Sequence, residues 1–295
     1  MHPAPSHRTR PLDILVVANL GLGPAFRANA GLYLHAARQR TPHVGVLDLS
    51  REAIWLDDPP HARFVLMLDK DASTAEALRT DGAQVVNSPE AILACDDKRR
   101  TDARLVGAGL TVPRSVLLPP LYPKQPIDPG VLEATVRHVG LPLVVKEAKG
   151  SFGSQVHLAE TLDDLIDIAS ALADRRLLVQ RFIASSRGRD RRLQVARDRV
   201  VAAMERRQRH DFRANLSAGG AGYPYWPSRR EQTLAIEAAR AVGAENAGVD
   251  LLIDDDGEGS IVCEVNANAH IWRLSAITGI DVAAAVLDQL LGPSR

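Results

Sequence analysis

Only two cysteines, Cys95 and Cys263, occur in 295 residues. They lie far apart in apolar stretches, which excludes a disulfide framework and suits a reducing compartment. Aromatic residues make up just 4% of the chain, leaving few rings on which bases could stack. Neither sign of charge prevails, since 36 Lys and Arg balance 36 Asp and Glu. No global field therefore draws nucleic acid or anionic lipid, and any polyanion site must be local. No apolar run approaches the length of a membrane span. Residues 1–10 carry prolines, histidines and arginines without the apolar stretch of a secretion signal, and read as a frayed tail. The expectation is a cytoplasmic protein with no nucleic-acid and no membrane partner.

What is present is an ordinary globular composition, 45% hydrophobic and 24% charged, long enough for two or three subdomains around a shared cleft. Short runs rich in Val, Ile and Leu alternate with amphipathic stretches from Leu12 to Asn87, the pattern of an open α/β sheet covered by helices. Strands are expected at Ile14–Ala18, Val44–Leu47, Phe64–Leu68 and Gln84–Val86. The first turn, Gly21-Leu22-Gly23-Pro24-Ala25-Phe26, lacks the third glycine of a dinucleotide fingerprint and is read as a turn. Asn87-Ser88-Pro89 reads as a cap with proline at a helix start. The units are an N-terminal α/β domain over 11–95, a central one over 96–184 and a C-terminal one over 185–295.

The segment from Val144 through Lys146 to Gly150, Ser151, Phe152, Gly153 and Ser154 reads as a strand delivering a lysine into a loop of small residues. Such a loop lets backbone N–H groups close over phosphates, while the strand fixes the Lys146 charge. The same residues also suit a hairpin turn with a surface lysine, and no Walker spacing is present. A second group is Asp250, Glu264 and Asn266, on paired strands Val249–Ile253 and Ile261–Val265 joined by Asp254-Asp255-Asp256-Gly257. Alternation puts Glu264 and Asn266 on one face. Hard oxygens there suit Mg²⁺, which binds through one or two carboxylates plus substrate phosphates. Asp254 to Asp256 read as solvated acids, whereas Glu264 within an apolar strand is costly to bury without a partner. Third is a cluster of arginines, Arg187, Arg189, Arg191, Arg192, Arg206, Arg207, Arg209 and Arg213. It fits a solvated face, a nucleic-acid patch or, if the cleft holds ATP, a phosphoryl clamp.

In order, the motifs are Asn87-Ser-Pro-Glu-Ala-Ile, Asp97-Lys98, Pro142-Leu-Val-Val-Lys146-Glu, Gly150-Ser-Phe-Gly153, Val179-Gln-Arg-Phe-Ile183, Arg189-Asp-Arg-Arg192, Ala203-Met-Glu-Arg206, Asp211-Phe-Arg-Ala-Asn215, Gly248-Val-Asp250 and Glu264-Val-Asn266. Together, over roughly Asn87 to Leu291, they resemble the ATP-grasp superfamily in its RimK-like glutamate-ligase branch. The resemblance implies an ATP-grasp fold, α/β in class, with an N-terminal open-sheet domain and two subdomains clasping ATP. It places Lys98 and Lys146 at the phosphates under the Gly150–Ser154 loop, and the adenine against Gln180, Arg181, Phe182 and Ile183. Asp190 falls near the ribose, and Arg213 and Asn215 near the phosphates and metal. Asp250, Glu264 and Asn266 match the ligands of two Mg²⁺ ions, with Mn²⁺ as a substitute and Glu264 bridging. Arg192 and Arg206 match positions beside the acyl phosphate, and with Lys146 are the catalytic candidates.

The implied activity is a ligase that activates a carboxylic acid as an acyl phosphate and joins it to an amine, with a small-molecule, amino-acid or peptide acceptor. A homo-oligomer is compatible with it. A catalytically silent ATP-binding sensor or scaffold on the same fold is the alternative. A Rossmann oxidoreductase is a weaker third, for want of the glycine fingerprint. Three departures stand out from the family's pattern. Arg181 occupies a position usually held by a hinge glutamate, Arg191 replaces an apolar residue, and Ala267-Asn268-Ala269-His270-Ile271-Trp272 replaces a proline-glycine turn. Asn268 and His270 are thereby candidates for substrate selection, with a packed structural role as the other reading of His270.

Overall fold

Leu12–Ala18 (β1) contains five consecutive buried residues from Ile14 to Ala18, a run that can face water on neither side. It lies inside a parallel sheet of order β2-β1-β3-β4 with Val44–Asp48 (β2), Ala62–Met67 (β3) and Gln84–Val86 (β4). The computed structural model describes residues 12–80, 82–120, 125–150, 153, 155–216, 219–254, 257 and 259–292. The expected tail at 1–10, the loop residues Ser151, Phe152 and Ser154, and the acids Asp255 and Asp256 lie outside the described residues.

Pro24–Arg38 (α1) opens with proline at its first turn and buries Ala30, Tyr33, Ala36 and Ala37 on one face of this sheet. Ala72–Ala77 (α2), capped by the Asp71 carboxylate, covers the other. The chain leaves β1 towards β2 and leaves β3 towards β4, so the connections diverge and a crevice opens at the carboxyl ends of β1 and β3. The expected cap is present: Ser88 accepts from the Ala91 N–H to start Pro89–Asp96 (α3), and Asp97 caps Lys98–Gly107 (α4).

Ser115–Leu117 (β5), Leu143–Glu147 (β6), Val156–Ala159 (β7) and Leu177–Arg181 (β8) form an antiparallel sheet of order β5-β8-β6-β7. Pro129–Val139 (α5) and Leu162–Ala171 (α6) close its apolar core, the latter begun by a Thr161–Asp164 capping box. The third sheet, of order β11-β10-β9-β12-β13, combines Arg189–Ala196 (β9), Arg199–Arg207 (β10), Ala221–Pro224 (β11), Asn246–Ile253 (β12) and Ser260–Asn266 (β13). Arg229–Val242 (α7), with a Ser228–Glu231 capping box, packs on one face together with α3 and α4. Trp272–Thr278 (α8) and Val282–Leu291 (α9) pack on the other, in one continuous core with α1.

Two asparagines lock the first sheet to the third. The Asn87 side chain donates to the carbonyls of Asn246 and Ala267 and accepts from the N–H groups of Glu245 and Asn246, which exhausts its hydrogen-bonding capacity. Asn29 on α1 accepts from the Ile271 N–H at 2.8 Å. The crevice of the parallel sheet is thereby held against the 267–272 loop. Among the described residues, no single helix is long and apolar enough to cross a membrane.

Candidate active site

A cavity of about 490 Å³ draws residues from all three sheets. Lys146 enters it from β6 and Gln180 from β8, with Arg181, Phe182 and Ile183 following along the hinge. Asp190 and Arg192 enter from β9, Arg206 from β10, Asp250 from β12, and Glu264 and Asn266 from β13. Lys98, Gly150, Gly153, Arg213, Asn215, Asn268 and His270 complete the wall. Every described residue that the resemblance assigns to the nucleotide, the metal, catalysis or the substrate therefore borders one cavity, although the outermost lie more than a hundred positions apart.

Strand register explains the centre. Asp250 is paired with Arg192 on one side and Glu264 on the other, and neighbouring positions on paired strands point to the same face. Arg192 donates twice to Asp250, at 2.6 Å and 2.6 Å. Arg206 donates twice to Asp190, also at 2.6 Å, and lies 2.9 Å from Asp250. Burial opposes the charge on Asp250, but Arg192 and Arg206 outweigh it and hold that carboxyl below the ordinary range. Burial pushes Asp190 up, with Asp250 adding to the effect against the pull of Arg206. Burial also opposes the charge on Arg206, which the two carboxylates restore and raise further.

At the other end, Lys146 is buried and its ammonium lies 3.7 Å from Cys263 Sγ. Burial works against its charge, yet Cys263, Glu264 and Asp102 carry its pKa above that of a free lysine. Lys98 sits 3.9 Å from Glu264 and donates to the Gly150 carbonyl at 3.1 Å. Its pKa is lowered by burial first and by Lys146 in the same direction, with Glu264 opposing. Burial pushes the Cys263 thiol up to about 11, so at neutral pH it is a thiol and not a nucleophilic thiolate.

The loop over this end is tied down from the third sheet: the Arg213 guanidinium donates to the Gly153 carbonyl while pairing with Asp211. Gly153 has a φ of +75°, and a Cβ there would stand 2.3 Å from Asn215 Nδ2, so glycine is required on both counts. The Gln180 side chain turns away to donate to Asp102 and Ser115. Beyond it, the Ile183 N–H donates to no backbone carbonyl among the described residues.

The arginine cluster is a set of internal pairs. Arg189 and Arg207 bond Glu205, and Arg191 bonds Glu231 and covers the Tyr225 ring. Arg191 points to the opposite face of β9 from Arg192, so the residue that departs from the family pattern does not border the cavity. His270 packs edge-on against Phe26 at 4.5 Å and also borders the cavity.

Hard oxygens, the donors that suit magnesium, are grouped here by Glu264 and Asn266, while the Asn266 Nδ2, buried without a partner among the described residues, is a donor suited to an anion and not to the metal. The residues fit such an ion. Asp250 can join them only by loosening one guanidinium.

Sequence reasoning missed two contributions. Between the Asp250–Glu264 and Leu251–Val262 pairs β13 carries one extra residue, Cys263, so a bulge breaks strict alternation and turns Cys263 and Glu264 both to the cavity. Leu22, Ala25 and Phe26, from the segment read as a simple turn, and Asp69 and Lys70 after β3 form a further wall. Their place follows from the divergence of the β1 and β3 connections, which the sheet order and not the local sequence reveals.

Comparison with known proteins places these features in a family. The RimK-like ATP-grasp domain model matches residues 96–290. An uncharacterized MG012 homolog of Mycoplasma pneumoniae is 31% identical over 233 residues, covering 78% of this chain and 80% of its own length. A ribosomal protein bS6–L-glutamate ligase of Escherichia fergusonii is 36% identical over 210 residues, covering 70% of this chain and 67% of its own. Among solved structures, the ATP-grasp ligase PsnB with its minimal precursor superposes with a TM-score of 0.73 at 20% identity, covering 95% of this chain and 99% of that one. The fold is thus ATP-grasp throughout, and the chain belongs to the RimK-like ATP-grasp family of ligases.

Proposed function

We propose that the protein is an ATP- and Mg²⁺-dependent ligase that activates a carboxylate as an acyl phosphate and joins it to the amine of a glutamate-type amino acid, releasing ADP and phosphate. The carboxylate belongs to a small molecule, a peptide or a protein tail, and the reaction takes place in the cytoplasm. One observation carries the reading: Lys98, Lys146, Arg192, Arg206 and the oxygens of Glu264 and Asn266 surround a single cavity. The bS6–L-glutamate ligase among the relatives and the precursor-bound PsnB among the neighbours support a peptide carboxylate and an amino-acid amine, and PsnB is also solved with Mg and ADP.

Bringing a carboxylate to a γ-phosphoryl group gathers anions, so the protein's share of catalysis is positioning and neutralising charge. Lys98 and Lys146, held at the end of α4 and within β6, face the phosphates under the Gly150–Gly153 loop. Glu264 and Asn266 would hold the magnesium ion, which would supply charge neutralisation at the phosphates. Arg192 and Arg206, fixed in orientation by Asp250 and Asp190, present donors to the acyl phosphate and to the oxyanion that forms when the amine attacks. The Arg213 guanidinium holds Gly153 at the cavity wall, a contact that helps to exclude water from the intermediate.

The test is ADP release from ATP and magnesium across an array of amino acids, dipeptides and dicarboxylates. Release that requires both an acid and an amine is expected. Saturable ATP binding without turnover in every pairing would overturn the reading in favour of a silent nucleotide-binding module.

A further inference from the structure

The cavity extends past the arginines to a far end built by the N-terminal domain. Four acids border it among the described residues: Asp69, Asp190, Asp250 and Glu264. Asp190 and Asp250 are committed to Arg206 and Arg192, and Glu264 faces Lys98. Asp69 differs. Its carboxylate accepts from the Asp71 N–H at 3.0 Å, and no ion pair to it occurs among the described residues. The adjacent Lys70 is engaged by Asp96 at 3.0 Å, a carboxylate that also takes Lys149 at 3.3 Å. Burial pushes the Asp69 carboxyl up, and the backbone N–H groups of Asp71 and Lys70 only partly offset this.

Asp69 follows β3 at the crevice where the β1 and β3 connections diverge, the place at which an open parallel sheet binds ligands. Asn268, from the loop that departs from the family pattern, borders the same cavity. The two residues also line a side recess of about 20 Å³, and Asn268 Oδ1 is buried without a hydrogen-bond donor among the described residues. A carboxylate without an ion pair and an amide oxygen without a donor among the described residues, both lining one cavity and one recess, are two acceptors for one compact multiple donor. A primary ammonium, with three N–H groups and one positive charge, satisfies both. An amine substrate arrives in that form at neutral pH.

We infer that Asp69 and Asn268 form the subsite that recognises the ammonium of the amine substrate as it binds, before loss of one proton to solvent frees the nitrogen to attack the acyl phosphate. This rests on the ligase reading above. The far wall of Phe26 and His270, joined edge-on, then flanks the rest of that substrate.

Hydroxylamine separates the two claims, because it is a small neutral nucleophile that intercepts acyl phosphates without needing an ammonium subsite. Hydroxamate and ADP are measured first for the wild-type protein with ATP, magnesium and the acid array. No hydroxamate with any acid would sink the ligase reading itself. With the most active acid, L-glutamate and then the other standard amino acids are supplied as the amine to wild type, Asp69→Asn and Asp69→Glu. In Asp69→Asn, KM for the best amine is expected to rise at least tenfold, with kcat changed much less. The loss in kcat/KM should exceed that for hydroxylamine by a similar factor, and Asp69→Glu should recover part of it. A KM ratio below fivefold, or equal losses with both nucleophiles, overturns the subsite; a ratio of fivefold or more with unequal losses supports it. Unfolding of Asp69→Asn in Mg-ADP, compared with wild type, shows that both are folded when assayed.

Discussion

Arg192 and Asp250 are joined by two hydrogen bonds of 2.6 Å across β9 and β12, and Arg206 reaches the same carboxylate at 2.9 Å. Side chains of 6% exposure on Arg206 and Asp250 make this an internal network, not a surface pair. Two guanidiniums stay buried side by side because the carboxylates separate them. Removing the central one leaves uncompensated buried cations, a change that costs more than any single surface pair is worth. Asp250→Asn should lower the unfolding free energy by about 3 kcal/mol, read from urea denaturation with the slope unchanged. A loss of under about 1 kcal/mol would mean that the network is solvated in solution.

Lys146 and Glu264 are expected to separate function from stability. Lys146→Ala and Glu264→Gln should each cut ADP-forming turnover by roughly 10²-fold or more, in line with the loss of a preorganised charge at a reacting group. Circular dichroism should show both chains folded, because neither side chain anchors an apolar core cluster. Glu264→Gln should in addition weaken the dependence of turnover on magnesium concentration. Wild-type rates in either variant refute that assignment.

How far the sequence foretold this site depends on the kind of residue. Lys146 borders the cavity, yet its strand and glycine-containing turn, taken alone, suit a hairpin with a surface lysine; only the ordered set of motifs around it pointed to a site. Glu264 and Asn266 were legible from their two-residue spacing, which survives to the end of β13. Cys263 was invisible, since a single-residue bulge leaves no mark in the hydrophobic pattern. The pairing of the arginines was hidden for a related reason: Arg191 and Arg192 are adjacent letters that point to opposite faces, and only the β9–β12 register shows which of them meets Asp250. Phe26 and Asp69 belong to local segments with no chemical signature. Their role arises from sheet order, a long-range property.

Gly153 offers a test of loop closure that leaves the charged groups in place. Its φ of +75° and the 2.3 Å approach that a Cβ would make to Asn215 both oppose any side chain. A left-handed conformation costs an L-residue about 1–2 kcal/mol, so Gly153→Ala should raise the KM for ATP by roughly 5- to 30-fold by that term alone. The measurement is KM for ATP at saturating acid and amine. An unchanged value would show that the Arg213–Gly153 contact is not part of the closed, nucleotide-binding state.

His270 makes the acid limb of the stability profile informative. Burial first, and then the charge of Arg192, push its pKa below the ordinary histidine value of 6.5. Between the lowered folded value and 6.5 the unfolded chain binds more protons than the folded one, so stability rises with pH through that window. The full contribution is present above 6.5 and is lost as pH falls towards the folded pKa. His270→Phe retains an aromatic ring against Phe26 and removes the titration. Thermal unfolding from about pH 7 to about pH 5 should therefore show a shallower fall for the variant than for wild type, with the two curves running parallel above this range. Identical slopes throughout would place the imidazole in water, away from Arg192 and outside the wall it forms with Phe26.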